Sequence, residues 1–77
     1  MNDFQPIVSS NLAEGRYDKA SRMLDIKFKK DAKDAFRYKV MPSVARKFME
    51  TWDGKKGSAG KFFAANIKGL PFEKIEV

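Results

Sequence analysis

The 77 residues carry 16 Lys and Arg against 10 Asp and Glu, a formal charge of +6, with 43% hydrophobic and 13% aromatic side chains and neither Cys nor His. That is the size of one small domain with a compact, aromatic-rich core, and it is too apolar for a disordered chain. Without Cys or His there is no thiol catalysis, disulfide, thiolate or imidazole metal site, or imidazole base, while the cationic excess points to a polyanion: nucleic acid, an acidic protein surface or an anionic membrane.

Residues 1–7 read as an N-terminal arm, with Phe4, Ile7 and the adjoining Val8 available to dock on the body and Pro6 restricting the backbone. Ser9, Ser10 and Asn11 suit a turn, since their side chains bond nearby backbone. Leu12 to Tyr17 is the weakest strand pattern, and Gly15 in it implies a bend, a bulge or a close backbone approach. A polar turn over Tyr17 to Ser21 leads into a clearer strand, Arg22 to Lys29, where Leu24, Ile26 and Phe28 alternate with Asp25, Lys27 and Lys29. Lys30 to Asp34 reads as a charged hairpin connection. The next strand, Ala35 to Val40, sets Phe36, Tyr38 and Val40 on one face and Arg37 and Lys39 on the other.

Pro42 suits the first turn of a helix, where its missing N–H would be unpaired anyway, so a helix is predicted over Pro42 to Trp52. Val44, Phe48 and Trp52 recur on one side, widened by Ala45 and Met49. Gly54 to Lys61 is a Gly and Lys loop, and Ser58 is placed to cap a second helix reaching Ile67, with Phe63 and Ile67 at i and i+4. Residues 70–77 form a C-terminal tail whose Leu70, Phe72 and Ile75 are able to cover a sheet edge. The fold expected is α+β: a three-stranded antiparallel meander over residues 11–40 followed by two short helices packed on one face, with residues 8–69 as the single domain.

Two cationic groups are candidate sites. Lys27, Lys29, Arg37 and Lys39 lie at outward strand positions, where they either neutralise phosphates or simply solvate the face and guard its edge. Lys55, Lys56 and Lys61 belong to the Gly-rich loop, which suits phosphate oxygens at a helix start but fails as a Walker loop, because Lys55 replaces its first Gly and Phe62 its Ser or Thr. The parity of Phe36 and Tyr38 favours core packing over base stacking. Asp31 and Asp34 read as solvated turn charges, and Trp52 as core closure more than an exposed anchor.

Ser9, Ser10 and Asn11, then Tyr17 and Asp18, the Phe36–Arg37–Tyr38 centre, Val40 with Pro42, and Gly60 to Ile67 with Phe63 and Asn66, give a chain that resembles the KTSC family from about Val8 to Gly69. This family comprises short domains found alone and at the C-terminus of some lysyl-tRNA synthetases. Phe36 stands where the family's motif usually has Tyr, which removes one phenol but preserves a packing ring. The resemblance implies a small α+β domain and, through the synthetase context, an RNA partner.

The reading expected from sequence is a non-catalytic module binding RNA or single-stranded nucleic acid through Lys27, Lys29, Arg37, Lys39, Lys55, Lys56 and Lys61, with no cofactor and no metal. The alternative is a protein-binding module, such as a phage or mobile-element factor directed at an acidic surface of a host protein. Met1 to Ser10 lacks the basic and apolar regions of a signal peptide, and no apolar run approaches the ~20 residues that span a bilayer. A cytoplasmic chain without a membrane partner is expected; the oligomeric state is not readable.

Overall fold

The computed structural model describes residues 3–76, so Met1 and Asn2 of the expected arm and Val77 of the tail lie outside the described residues. Seven elements follow in order: β1 (Gln5–Pro6), β2 (Leu12–Asp18), β3 (Met23–Phe28), β4 (Asp31–Lys39), α1 (Pro42–Met49), α2 (Ala59–Asn66) and β5 (Phe72–Glu76). The strands form one antiparallel sheet in sequence order, β1-β2-β3-β4-β5. The α+β class and the two helices stand as expected, but the sheet has five strands instead of three.

Both extra strands come from the termini. Gln5 pairs with Gly15 and Pro6 with Glu14, and Pro6, having no N–H to offer, blunts that short edge. At the other side β5 pairs along β4 from Asp34↔Glu76 to Tyr38↔Phe72, so the tail does cover a sheet edge, with Phe72 and Ile75 in the strand and Leu70 ahead of it. The expected charged connection is also strand from Asp31 onward. The turn is only Lys29 and Lys30, and β4 begins at Asp31 opposite Phe28. Lys74 of β5 lies 3.7 Å from Asp31 and 3.2 Å from Asp34, so their charges find a partner in the tail rather than in the turn.

Leu24 and Ile26 of β3, Tyr38 of β4 and Val40 just beyond it share one core with Ala45 and Phe48 of α1 and Ala59 and Phe63 of α2. The Tyr17 hydroxyl donates to the Val40 carbonyl at 2.7 Å, tying β2 to the exit of β4. α1 stops at Met49, before the predicted Trp52. The Thr51 hydroxyl donates to the Phe48 carbonyl at 2.6 Å, and the Thr51 and Trp52 amides bond back three residues, tightening the last turn. That turn buries Trp52 and leaves Met49 39% exposed instead of widening the core stripe. Ser58 caps α2 as expected, its Oγ accepting from the Lys61 amide. No helix among the described residues is long and apolar enough to cross a membrane.

Gly15 makes the close approach its place in a strand suggested. A Cβ there would lie 2.9 Å from Cη2 and Cζ2 of Trp52 and 3.0 Å from Cδ1 of Ile26. Overpacking of this kind costs about 1–3 kcal/mol, so Gly15→Ala should lower the urea midpoint. In a Trp52→Phe background the same substitution should cost less, because the shorter Phe side chain lacks the outer indole ring whose Cη2 and Cζ2 meet the methyl.

Candidate functional site

The register places Arg16, Asp25 and Arg37 side by side across β2, β3 and β4, on the face away from the helices. The Asp25 carboxylate accepts from Arg16 Nε at 2.8 Å and from Arg37 Nε and Nη2 at 2.8 and 3.0 Å. Its side chain is completely buried, while the two guanidinium groups keep a fifth to a quarter of their exposure. Burial pushes the Asp25 carboxyl up, but the hydrogen bonds from Arg37 and then Arg16 outweigh it and hold the group below its usual range. Arg37 is held more firmly protonated by the same hydrogen bond.

Lys27 is also engaged. Its Nζ lies 3.7 Å from Glu14 and 4.4 Å from the Phe4 ring centroid, and Arg16 Cζ lies 4.2 Å from the same ring, so the arm's aromatic side chain caps two cations at once. Two of the four outward strand cations are therefore engaged within the fold, although Arg16, Asp25 and Arg37 together keep one net positive charge. Lys39 remains exposed at the end of β4, and Lys29 at the turn after β3. Lys55 and Lys56 are exposed in the loop between the helices, and Lys61 is exposed in the first turn of α2. The seven candidate residues are thus distributed over β3, β4, the turn between them, the loop between the helices and the first turn of α2.

The helix side of the sheet holds what the strand pattern alone did not reveal. Phe28, Phe36, Phe72, Tyr38 and Phe63 form a closed circuit of rings, each neighbouring pair having centroids 5.3 to 5.6 Å apart. Phe63 and Tyr38 are buried, Phe28 and Phe36 are half-buried, and Phe72 is 56% exposed. The rings line two open depressions. One, about 320 Å³, lies between Phe36, Tyr38 and Phe72 of the sheet and Gly60, Phe63 and Ala64 of α2 with Lys68 just beyond its end. The other, about 550 Å³, is shared by Phe28 and Phe36 with Ser10, Asn11, Lys29, Lys30 and Asp31. Asn11, Phe28 and Phe36 belong to both, so the two make one groove with Lys68 on one side and Lys29 and Lys30 at the other end.

Of the predicted residues only Lys29 lines this groove, although Lys61 precedes Ala64 by one turn on the same side of α2. Tyr38 is core by exposure, as parity suggested, whereas Phe36 is both support and wall. Trp52 is buried at 6% exposure and takes no part. The signal for the groove was the shared parity of Phe28 and Phe36; Phe72 and Lys68 had none, because their place depends on β5 joining β4.

No curated protein matches the chain. Its structure is similar to the crystal structure of a KTSC domain protein from Yersinia pestis, at 28% sequence identity and a TM-score of 0.65, covering 97% of this chain and 96% of that one. The model of the KTSC domain matches residues 8–72, a span that includes the sheet from β2 to β4, both helices and the whole circuit of rings. The chain belongs to the KTSC domain family.

Proposed function

We propose that this protein is a small non-catalytic module that binds RNA or another single-stranded nucleic acid along the lysine-rimmed aromatic groove. The observation that carries this reading is the groove itself: an open surface of aromatic rings between Lys68 at α2 and Lys29 and Lys30 at the β3–β4 turn. Unpaired bases present apolar faces to such rings while phosphates seek the flanking cations, a combination that tolerates many sequences. The outer sheet face serves this role less well, because Arg37 and Lys27 already answer Asp25 and Glu14. Lys39, Lys55, Lys56 and Lys61 then contribute to the general field that draws a polyanion in. The absence of Cys and His supports a binding role over a catalytic one, and a cytoplasmic site of action accords with such a ligand.

Fluorescence anisotropy with labelled RNA and DNA strands of about twelve nucleotides tests this. Binding is expected at low salt and should weaken as salt rises, by about 0.7 in the log–log slope for each phosphate neutralised. Lys29→Ala and Lys68→Ala should each flatten that slope, whereas a duplex of the same sequence should bind less well. No binding at low salt, or binding that ignores salt, would overturn the reading. A stoichiometric protein partner surviving nuclease treatment, in place of oligonucleotide binding, would point to an acidic protein surface instead.

A further inference from the structure

Tyr38 is an unusual floor for an apolar groove. It is only 4% exposed, and Phe63 and Phe72 flank it with ring centroids 5.5 and 5.6 Å away. Among the described residues no hydrogen bond engages its hydroxyl, yet that oxygen is not a sealed buried atom as Trp52 Nε1 is. Tyr17, the other phenol, spends its hydroxyl on the Val40 carbonyl. A phenol left open in a groove wall recognises a ligand that brings a donor or acceptor to it, because an apolar occupant would leave the hydroxyl unsatisfied.

Resting on the nucleic-acid reading above, we infer that the depression between β4 and α2 takes one unstacked nucleobase, whose polar edge bonds the Tyr38 hydroxyl while its face packs on Phe72. Three features fit this occupant. Phe72 displays 56% of its surface next to the Tyr38 ring in the same depression, and a base has both a face for that ring and an edge for the phenol. The volume, about 320 Å³, falls in the range of roughly 300–1,000 Å³ typical of small-ligand clefts. Lys68 lines the same depression and Lys29 and Lys30 stand at the far end of the groove, placing positive charge where the phosphates on either side of an inserted base would run. A purely apolar peptide would use the rings but neither the phenol nor the lysines.

The test is anisotropy with single strands that are intact or abasic at every position, using the native chain, Tyr38→Phe, Phe72→Ala and Phe72→Leu, each first shown by circular dichroism to be folded. Phe72→Ala should weaken binding of the intact strand about tenfold or more, with Phe72→Leu in between. Tyr38→Phe, which keeps the ring, should weaken it about three- to tenfold. In both cases the salt slope should be unchanged, because no phosphate contact is lost, and the abasic strand should bind variants and native chain alike. If the native chain binds the strands and these variants bind the intact one equally well, the base site is wrong while the nucleic-acid reading stands. If the native chain binds neither RNA nor DNA at low salt, both fall.

Discussion

Asp25→Ala is expected to destabilise the fold by about 3 kcal/mol, near the lower end of the 3–5 kcal/mol typical of removing one partner from a buried ion pair. The lower end applies because Arg16 and Arg37 retain part of their hydration when their shared carboxylate is removed. Urea denaturation reads the loss directly. Arg16→Ala should cost less than Asp25→Ala, since Arg37 keeps its two-bond contact with the carboxylate. Charge reversal at Arg37 is for the same reason a perturbation of the fold: it sets a second carboxylate beside Asp25. Surface-binding tests belong on Lys29 and Lys68.

The same carboxylate makes stability depend on pH in a defined direction. Its folded-state pKa lies below the ordinary 3.8, so protonation is harder in the native state than in the unfolded chain. The contribution is complete above the unfolded value and is lost as pH falls through the folded one. Asp25→Asn should start less stable at neutral pH and lose less between pH 5 and 2. Equal acid sensitivity in the two chains would count against Asp25 as a source of it.

Phe63→Ala is expected to cost about 3–5 kcal/mol, the usual range for truncating a buried aromatic side chain. Phe63 is 5% exposed and meets Phe28, Tyr38 and Phe48, so it joins the core to the ring circuit that lines the groove. Removing it leaves a cavity beneath the groove as well as lost contacts. Phe72→Ala, in a ring that is mostly exposed, should cost under about 1 kcal/mol, as surface substitutions do. The contrast is measurable by thermal or urea unfolding. It separates two rings of one circuit: Phe63 holds the groove in place and Phe72 is the surface it displays. Comparable losses for both would mean that β5 is as central to stability as α2.

Alternation was the most legible signal. Leu24, Ile26, Tyr38 and Val40 were placed inward by period alone, and all are buried. Pro42 and Ser58 marked the helix starts through local chemistry, and both lie where α1 and α2 begin. The same logic misjudged Asp31 to Asp34, because a run of charges looks like a turn until Lys74 arrives from a distant part of the chain. It also could not tell which outward cations were free. Arg37 and Lys39 have the same parity, yet one closes on Asp25 and the other reaches solvent.

By itself, the sequence determined the period of β3 and of β4 from Ala35 onward, the caps and breakers of the helices, the inward ring set and the cationic excess, because each depends on residues a few positions apart. Only the tertiary structure decided that both termini join the sheet, that Asp25 draws two arginines inward across three strands, and that Phe72 and Lys68 meet Phe36 and Tyr38 in an open groove. Those outcomes depend on contacts between distant segments, whose partners are chosen by sheet register and helix packing and not by local pattern.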